Sequence, residues 1–170
     1  MGTALGDNMT CMRSHQNTGA VQSGGASGTG RDLDDAVLAA VNQSIHANVS
    51  GLVNTITLSF ACENLPNMDT FTRTDGIAVL YRQQGTQWHR IGVTEVIMDN
   101  LNPAWVKSFD VQYHFEQRET YKVDIYDVDD EKNIMNFAGH DYVGSLEFSV
   151  HEVVTSRDQT LIRPLNNKDR

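Results

Sequence analysis

The chain has 170 residues with 22 acidic and 13 basic side chains, a formal charge of −9 and a hydrophobic fraction of 39%. That length suits one globular domain with an appended segment and is short for two full cores. The acid excess argues against nucleic acid as a partner, because phosphate binding needs clustered Lys and Arg to displace counterions, and it favours cations instead.

Residues 1–31 read as a flexible tail. Seven of the thirteen glycines fall before residue 31, and all thirteen aromatic residues stand at or after Phe60. A segment so poor in large apolar groups cannot bury enough surface to offset the entropy of ordering it. Residues 32–49 follow as an amphipathic helix. Leu33, Val37, Val41 and Ile45 recur every four residues, with Asp32 as N-cap and Asp34 and Asp35 in the first turn. This helix either docks on its own domain or offers residues 33–48 to a protein partner. A membrane-surface helix would carry Lys and Arg on its polar face, and this one carries none.

From residue 52 to residue 170 the period changes to two. Ile56, Leu58, Phe60 and Cys62 alternate with Thr57, Ser59 and Ala61, and Tyr121, Val123 and Ile125 alternate with Lys122, Asp124 and Tyr126. Leu146, Phe148 and Val150 alternate with Glu147 and Ser149. Weaker candidate strands are 77–82, 88–94, 104–113 and 160–165. Turn residues separate most of these strands, as in an antiparallel β-sandwich. The fold class is all-β, an antiparallel Greek-key sandwich with seven strands visible and an eighth missing.

Parity places the loops. In an antiparallel fold connections one (63–75), three (96–103) and five (127–141) leave at the same edge. Connection one holds Asp69 and Asp75, and connection five holds Asp127, Asp129, Asp130, Glu131 and Asp141. Carboxylates brought together repel and raise each other's pKa, a cost that a hard divalent cation removes. Backbone carbonyls of Met68 and Val128 are candidates to complete such a shell. The plain alternative is a set of solvated turn aspartates. An EF-hand does not fit, because the sixth position counted from Asp127 is Lys132 and the twelfth is Ala138.

Four segments in order resemble the C2 domain family. Asp69-Thr-Phe-Thr-Arg-Thr-Asp75 is similar to its first calcium loop, and Leu101-Asn-Pro-Ala-Trp105 to its Leu-Asn-Pro-x-Trp turn. Tyr126-Asp-Val-Asp129 and His140-Asp-Tyr-Val-Gly144 resemble its third-loop Asp-x-Asp and the following Asp-x-hydrophobic-Gly. Trp88-His-Arg-Ile-Gly-Val-Thr-Glu95, the long third loop and Leu161-Ile-Arg-Pro-Leu165 resemble the first C2 domain of copines. The resemblance implies Ca2+ ligands at Asp69, Asp75, Asp127, Asp129 and Asp141. It also implies an N-terminal piece of a longer protein, or a shortened family member. Gly76 stands where Pro is usual in the family and is expected to loosen the start of the second predicted strand.

Phe71 and Arg73 at the first loop tip, and Ile134, Met135 and Phe137 at the third, read as membrane contacts beside a calcium site. The other reading of the apolar ones is as loop anchors packed on their own domain. The expected function is calcium-dependent, peripheral binding to anionic phospholipid membranes, in the cytoplasm and reversibly at inner-leaflet surfaces such as the plasma membrane. The alternative is a calcium-independent protein-interaction module. An enzyme is not expected: no HExxH, GxSxG or Gly-rich phosphate loop ending in Lys is present. Two cysteines are too few for a disulfide framework, and no apolar run reaches the length of a membrane-spanning helix.

Overall fold

In the computed structural model, residues 11–16, 53–68, 73–115 and 117–167 are described. The strands are β1 (Cys11–Gln16), β2 (Val53–Ala61), β3 (Gly76–Gln84), β4 (Gln87–Val93), β5 (Phe109–His114), β6 (Thr120–Asp127), β7 (Asp141–Ser149) and β8 (Thr160–Ile162). They form two four-stranded sheets, in the orders β5-β2-β1-β8 and β4-β3-β6-β7. The paired strands are antiparallel, as the sequence pattern predicts. Among the described residues a short α-helix, α1 (Val150–Thr155), leads from β7 towards β8.

Alternation in the sequence becomes the inner face of the sandwich. Ile56 and Leu58 are fully buried, and Phe60 and Cys62 are 2% exposed. From the facing sheet Ala78, Leu80, Tyr121, Val123, Ile125, Leu146 and Phe148 join them in one core. Phe60 meets Phe109 at 5.9 Å and Phe148 at 6.5 Å between ring centroids, tying the two layers together. Full burial of such a side chain contributes about 1.5–3 kcal/mol.

Two expectations need correction. Residues 11–16 belong to the segment read as a flexible tail, yet β1 lies inside a sheet. It pairs with β2 from Cys11↔Ala61 to Gln16↔Ile56 and with β8 from Cys11↔Ile162 to Arg13↔Thr160. The eighth strand is therefore present and comes from the leader. Its hydrogen bonds to two neighbours order it without the large apolar residues that the leader lacks. The rest of the leader, including the helix predicted over 32–49, lies outside the described residues. Gly76 does not loosen β3 either. Its N–H donates to the carbonyl of Ile97 and its carbonyl accepts from Ile97, both at 2.9 Å, and the Trp105 indole N–H adds a third bond at 3.1 Å. Proline there would remove the first of these bonds.

β3 is buried on both faces. Ala78 and Leu80 point into the main core, whereas Ile77 and Val79 belong to a second cluster with Val93 and Val128. Ile134 and Phe137 from the long connection between β6 and β7 pack on that cluster.

Candidate functional site

The ends of β3, β6 and β7 bring the predicted loops together. Asp127 is the register partner of both Gly76 on β3 and Asp141 on β7. The N–H of Val128 donates to the carbonyl of Asp75 at 3.1 Å, joining connection five to connection one. Connection three joins them through the paired bonds between Gly76 and Ile97. The three connections therefore share one edge, as strand parity predicts.

Asp75, Asp127, Asp129 and Asp141 all lie at this edge, and Asp69 is outside the described residues. Asp127 is 2% exposed, and its Oδ1 accepts the backbone N–H of Asp75 at 2.6 Å. Asp75 is half-buried, and its Oδ1 accepts the N–H of Asp99 at 2.6 Å. Asp99 Oδ1 in turn accepts the N–H of Arg73 at 3.0 Å. On the other side Asp129 Oδ2 accepts the N–H of Asp141 at 3.1 Å, and both residues are exposed. Thr74, fully buried, fixes connection one from below: its hydroxyl donates to the Pro66 carbonyl at 2.7 Å and accepts from Met68 N–H at 3.3 Å.

Asp99 is the member that sequence reading missed. It sits in the left-handed region, with φ of 52°, which Asp tolerates better than most residues. The signal was the Asp99-Asn100 pair in the middle of a connection already assigned to this edge.

The donor chemistry fits a hard cation. The side chains are carboxylates, which suit calcium's preference for oxygen. Among the described residues, Asp75, Asp129 and Asp141 have no Lys or Arg partner, and the five ion pairs lie elsewhere. No three of the described His, Cys, Asp or Glu side chains close around a single point, however. Several carboxylate oxygens here accept backbone N–H groups instead, and a carboxylate can accept more than one such bond.

The loop tips divide. Phe137 is half-buried, with its ring 5.1 Å from that of Tyr126 and under the Arg90 guanidinium at 5.7 Å. Ile134 is also half-buried on the second cluster. Met135 is 61% exposed, and Arg73 is exposed. Phe71 lies outside the described residues. Met98, beside Asp99, is 53% exposed and adds an apolar group at the same edge.

His140 is 8% exposed and braces the long connection. Asp129 N–H donates to its Nδ1 at 3.3 Å, which leaves Nε2 to donate to the Ile134 carbonyl at 3.2 Å. Asp130 caps the short 3-10 turn Glu131–Asn133, accepting Lys132 N–H at 3.0 Å. Both residues shape the loop.

A family model described as C2 domain matches residues 57–165. Among curated proteins, Protein BONZAI 1 of Arabidopsis thaliana is 27% identical over 157 residues, covering 86% of this chain and 27% of that protein. Nicotinic receptor-associated protein 1 of Caenorhabditis elegans is 29% identical over 117 residues, covering 59% of this chain and 18% of that protein. The chain thus spans only about a fifth to a quarter of the length of these relatives. A solved C2 domain of RIM from Drosophila superposes with a TM-score of 0.53 at 10% identity, over 95% of this chain and 99% of that one, a likeness of fold alone.

Proposed function

This chain belongs to the C2 domain family, and from that premise we propose that it is a calcium-dependent membrane-binding module of a copine-like protein. C2 domains are commonly membrane-binding or protein-binding modules. The observation that carries the calcium reading is the gathering of Asp75, Asp127, Asp129 and Asp141 at one edge, where Asp75, Asp129 and Asp141 have no basic partner among the described residues.

Those four residues and Asp69 would hold Ca2+. Bound calcium supplies positive charge at an edge that otherwise repels an anionic leaflet, and it offers coordination to phosphate oxygens. Met98 and Met135, exposed apolar groups of the edge among the described residues, would enter the interfacial layer, and Arg73 and Phe71 of connection one would join them. Ile134 and Phe137 support the loop from beneath. In this reading the protein is cytoplasmic and associates reversibly with inner-leaflet surfaces.

Co-sedimentation with liposomes containing anionic lipid tests the proposal. Binding should require calcium and be lost in Asp127→Asn plus Asp129→Asn. Equal binding in chelator overturns it.

One observation favours a second reading, a calcium-independent protein-interaction module. The described carboxylates bond to backbone N–H groups and do not close around one point. An unfolding midpoint unmoved by millimolar calcium supports this reading, since a ligand that binds only the native state raises its stability.

A further inference from the structure

On the outward face of the β4-β3-β6-β7 sheet, away from the carboxylate edge, lies a group of side chains that the calcium reading does not use. Asp124 on β6 is 4% exposed although it is an acid. Its Oδ2 pairs with Lys122 Nζ at 2.8 Å, and among the described residues no donor reaches its Oδ1. The Lys122 ammonium also lies 5.0 Å from the ring of Tyr81 on β3 and 5.2 Å from that of Trp88 on β4. A carboxylate and two aromatic faces thus surround one ammonium, the arrangement that binds organic cations.

The box meets a cavity through Trp88 and Lys122, whereas Asp124 and Tyr81 do not line it, so a cation reaches Asp124 only where Lys122 moves aside. That cavity, of about 630 Å³, is lined by Trp88, Lys122, Tyr142, Ser145, Glu147 and Asn166 among others. Lys122 has a second acid within reach, because Glu147 is its cross-strand partner on β7. Its ammonium can therefore leave Asp124 for Glu147 without losing a counter-ion. Asp124 and Glu147 thus set two acids beside Lys122, with Arg90 the other basic group acting on Tyr81. Burial also pushes the Asp124 carboxyl above its ordinary range despite the pull of Lys122.

We propose that this box is a receptor for a lysine or arginine side chain of a partner protein, with Lys122 as the resident group that the incoming cation displaces towards Glu147. A donor-bearing cation is favoured over a quaternary ammonium because Asp124 Oδ1 accepts a hydrogen bond that only an N–H can supply. The net acid of the whole chain favours a basic partner in the same sense. The site is independent of calcium.

The test is an NMR titration of the full chain in chelator at fixed ionic strength, following the Trp88 indole N–H and the amides of Tyr142, Ser145 and Glu147. The probes are N-acetyl-lysine methylamide, its uncharged norleucine analogue and tetramethylammonium chloride. Lys122→Met, which vacates the box but keeps its apolar stem, should bind the lysine probe roughly tenfold more tightly than the wild type, the scale of one charge-assisted hydrogen bond. Adding Asp124→Asn should abolish that gain. The proposal is overturned if Lys122→Met shows no saturable shift, if the norleucine analogue shifts the same resonances equally, or if Asp124→Asn leaves binding intact. Tetramethylammonium binding as tightly as the lysine probe also overturns it, by assigning the box to a headgroup of the choline type. Should Lys122→Met not fold, Trp88→Ala in the otherwise wild-type chain decides: weakened lysine-probe binding supports the proposal and unchanged binding overturns it.

Discussion

Asp127 Oδ1 accepts the backbone N–H of Asp75 at 2.6 Å, so one candidate calcium ligand holds the segment that carries another. The bond needs only an acceptor oxygen, which Asn retains. Asp127→Asn should therefore leave the calcium-free fold at least as stable as the wild type, because it removes a charge from a crowded acidic edge. Its calcium-induced rise in unfolding midpoint should shrink. For scale, a ligand at a hundred times its Kd stabilises by about 2.7 kcal/mol. Thermal unfolding with and without millimolar calcium checks both halves, and an undiminished calcium response in the variant counts against Asp127 as a ligand.

Removing residues 1–16 should disrupt the sandwich. β1 bridges β2 and β8, and its loss exposes two strand edges that the fold otherwise satisfies. A chain beginning at residue 17 should lose cooperative unfolding or melt well below the full chain. An unchanged midpoint by calorimetry would show that β1 contributes little.

That strand marks the limit of what the sequence discloses. β2 was legible because Ile56, Leu58 and Phe60, with Cys62 just beyond it, each face the core and alternate with the half-buried Thr57, Ser59 and Ala61. Loop parity was legible because antiparallel connectivity follows from strand order alone. Cys11–Gln16 has no such apolar alternation, and its place depends on backbone pairing with strands distant in sequence. Nor does periodicity reveal that β3 is buried on both faces, since Ile134 and Phe137 reach Ile77 and Val79 only after a long connection folds back. Asp99 was hidden for a similar reason: its bond to Asp75 spans two sheet connections.

α1 is short and depends on its cap. Ser149 and Glu152 form a capping box: Glu152 N–H donates to Ser149 Oγ at 3.3 Å, and Ser149 N–H donates to Glu152 Oε2 at 2.8 Å. Ser149→Ala should cost about 1 kcal/mol in denaturant unfolding. A loss within experimental error would show that packing of Val150 and Val153 alone holds the helix.

Glu152 also gives a pH dependence. The Ser149 backbone N–H, opposed by partial burial and aided by Arg163 at 2.8 Å, holds its carboxyl below the ordinary value of 4.5. A carboxyl depressed in the folded state stabilises fully above its unfolded value and loses that contribution as pH falls through the folded one. Between the wild type and Glu152→Gln, the stability difference should therefore be largest near neutrality and shrink as acid is added below about pH 4.5. A difference that is constant with pH assigns the role of Glu152 to hydrogen bonding alone.

Phe137 and Met135 separate the support of the third loop from its contact surface. Phe137 packs on the cluster formed by Ile77, Val79, Val93 and Val128, meets the Tyr126 ring at a tilt and lies under Arg90. Phe137→Ala should therefore cost about 1–3 kcal/mol of stability, from lost burial and ring contacts. Met135 is 61% exposed, so Met135→Ala should change stability by no more than about 0.5 kcal/mol. If the edge meets a bilayer, Met135→Ala should weaken calcium-dependent liposome binding while leaving the unfolding midpoint in place, because an exposed apolar side chain contributes only where another phase covers it. Unfolding and co-sedimentation on the same two variants measure both effects. Unaltered liposome affinity in Met135→Ala would move the contact to Met98 or to connection one, whereas a large stability loss in that variant would contradict its exposed position.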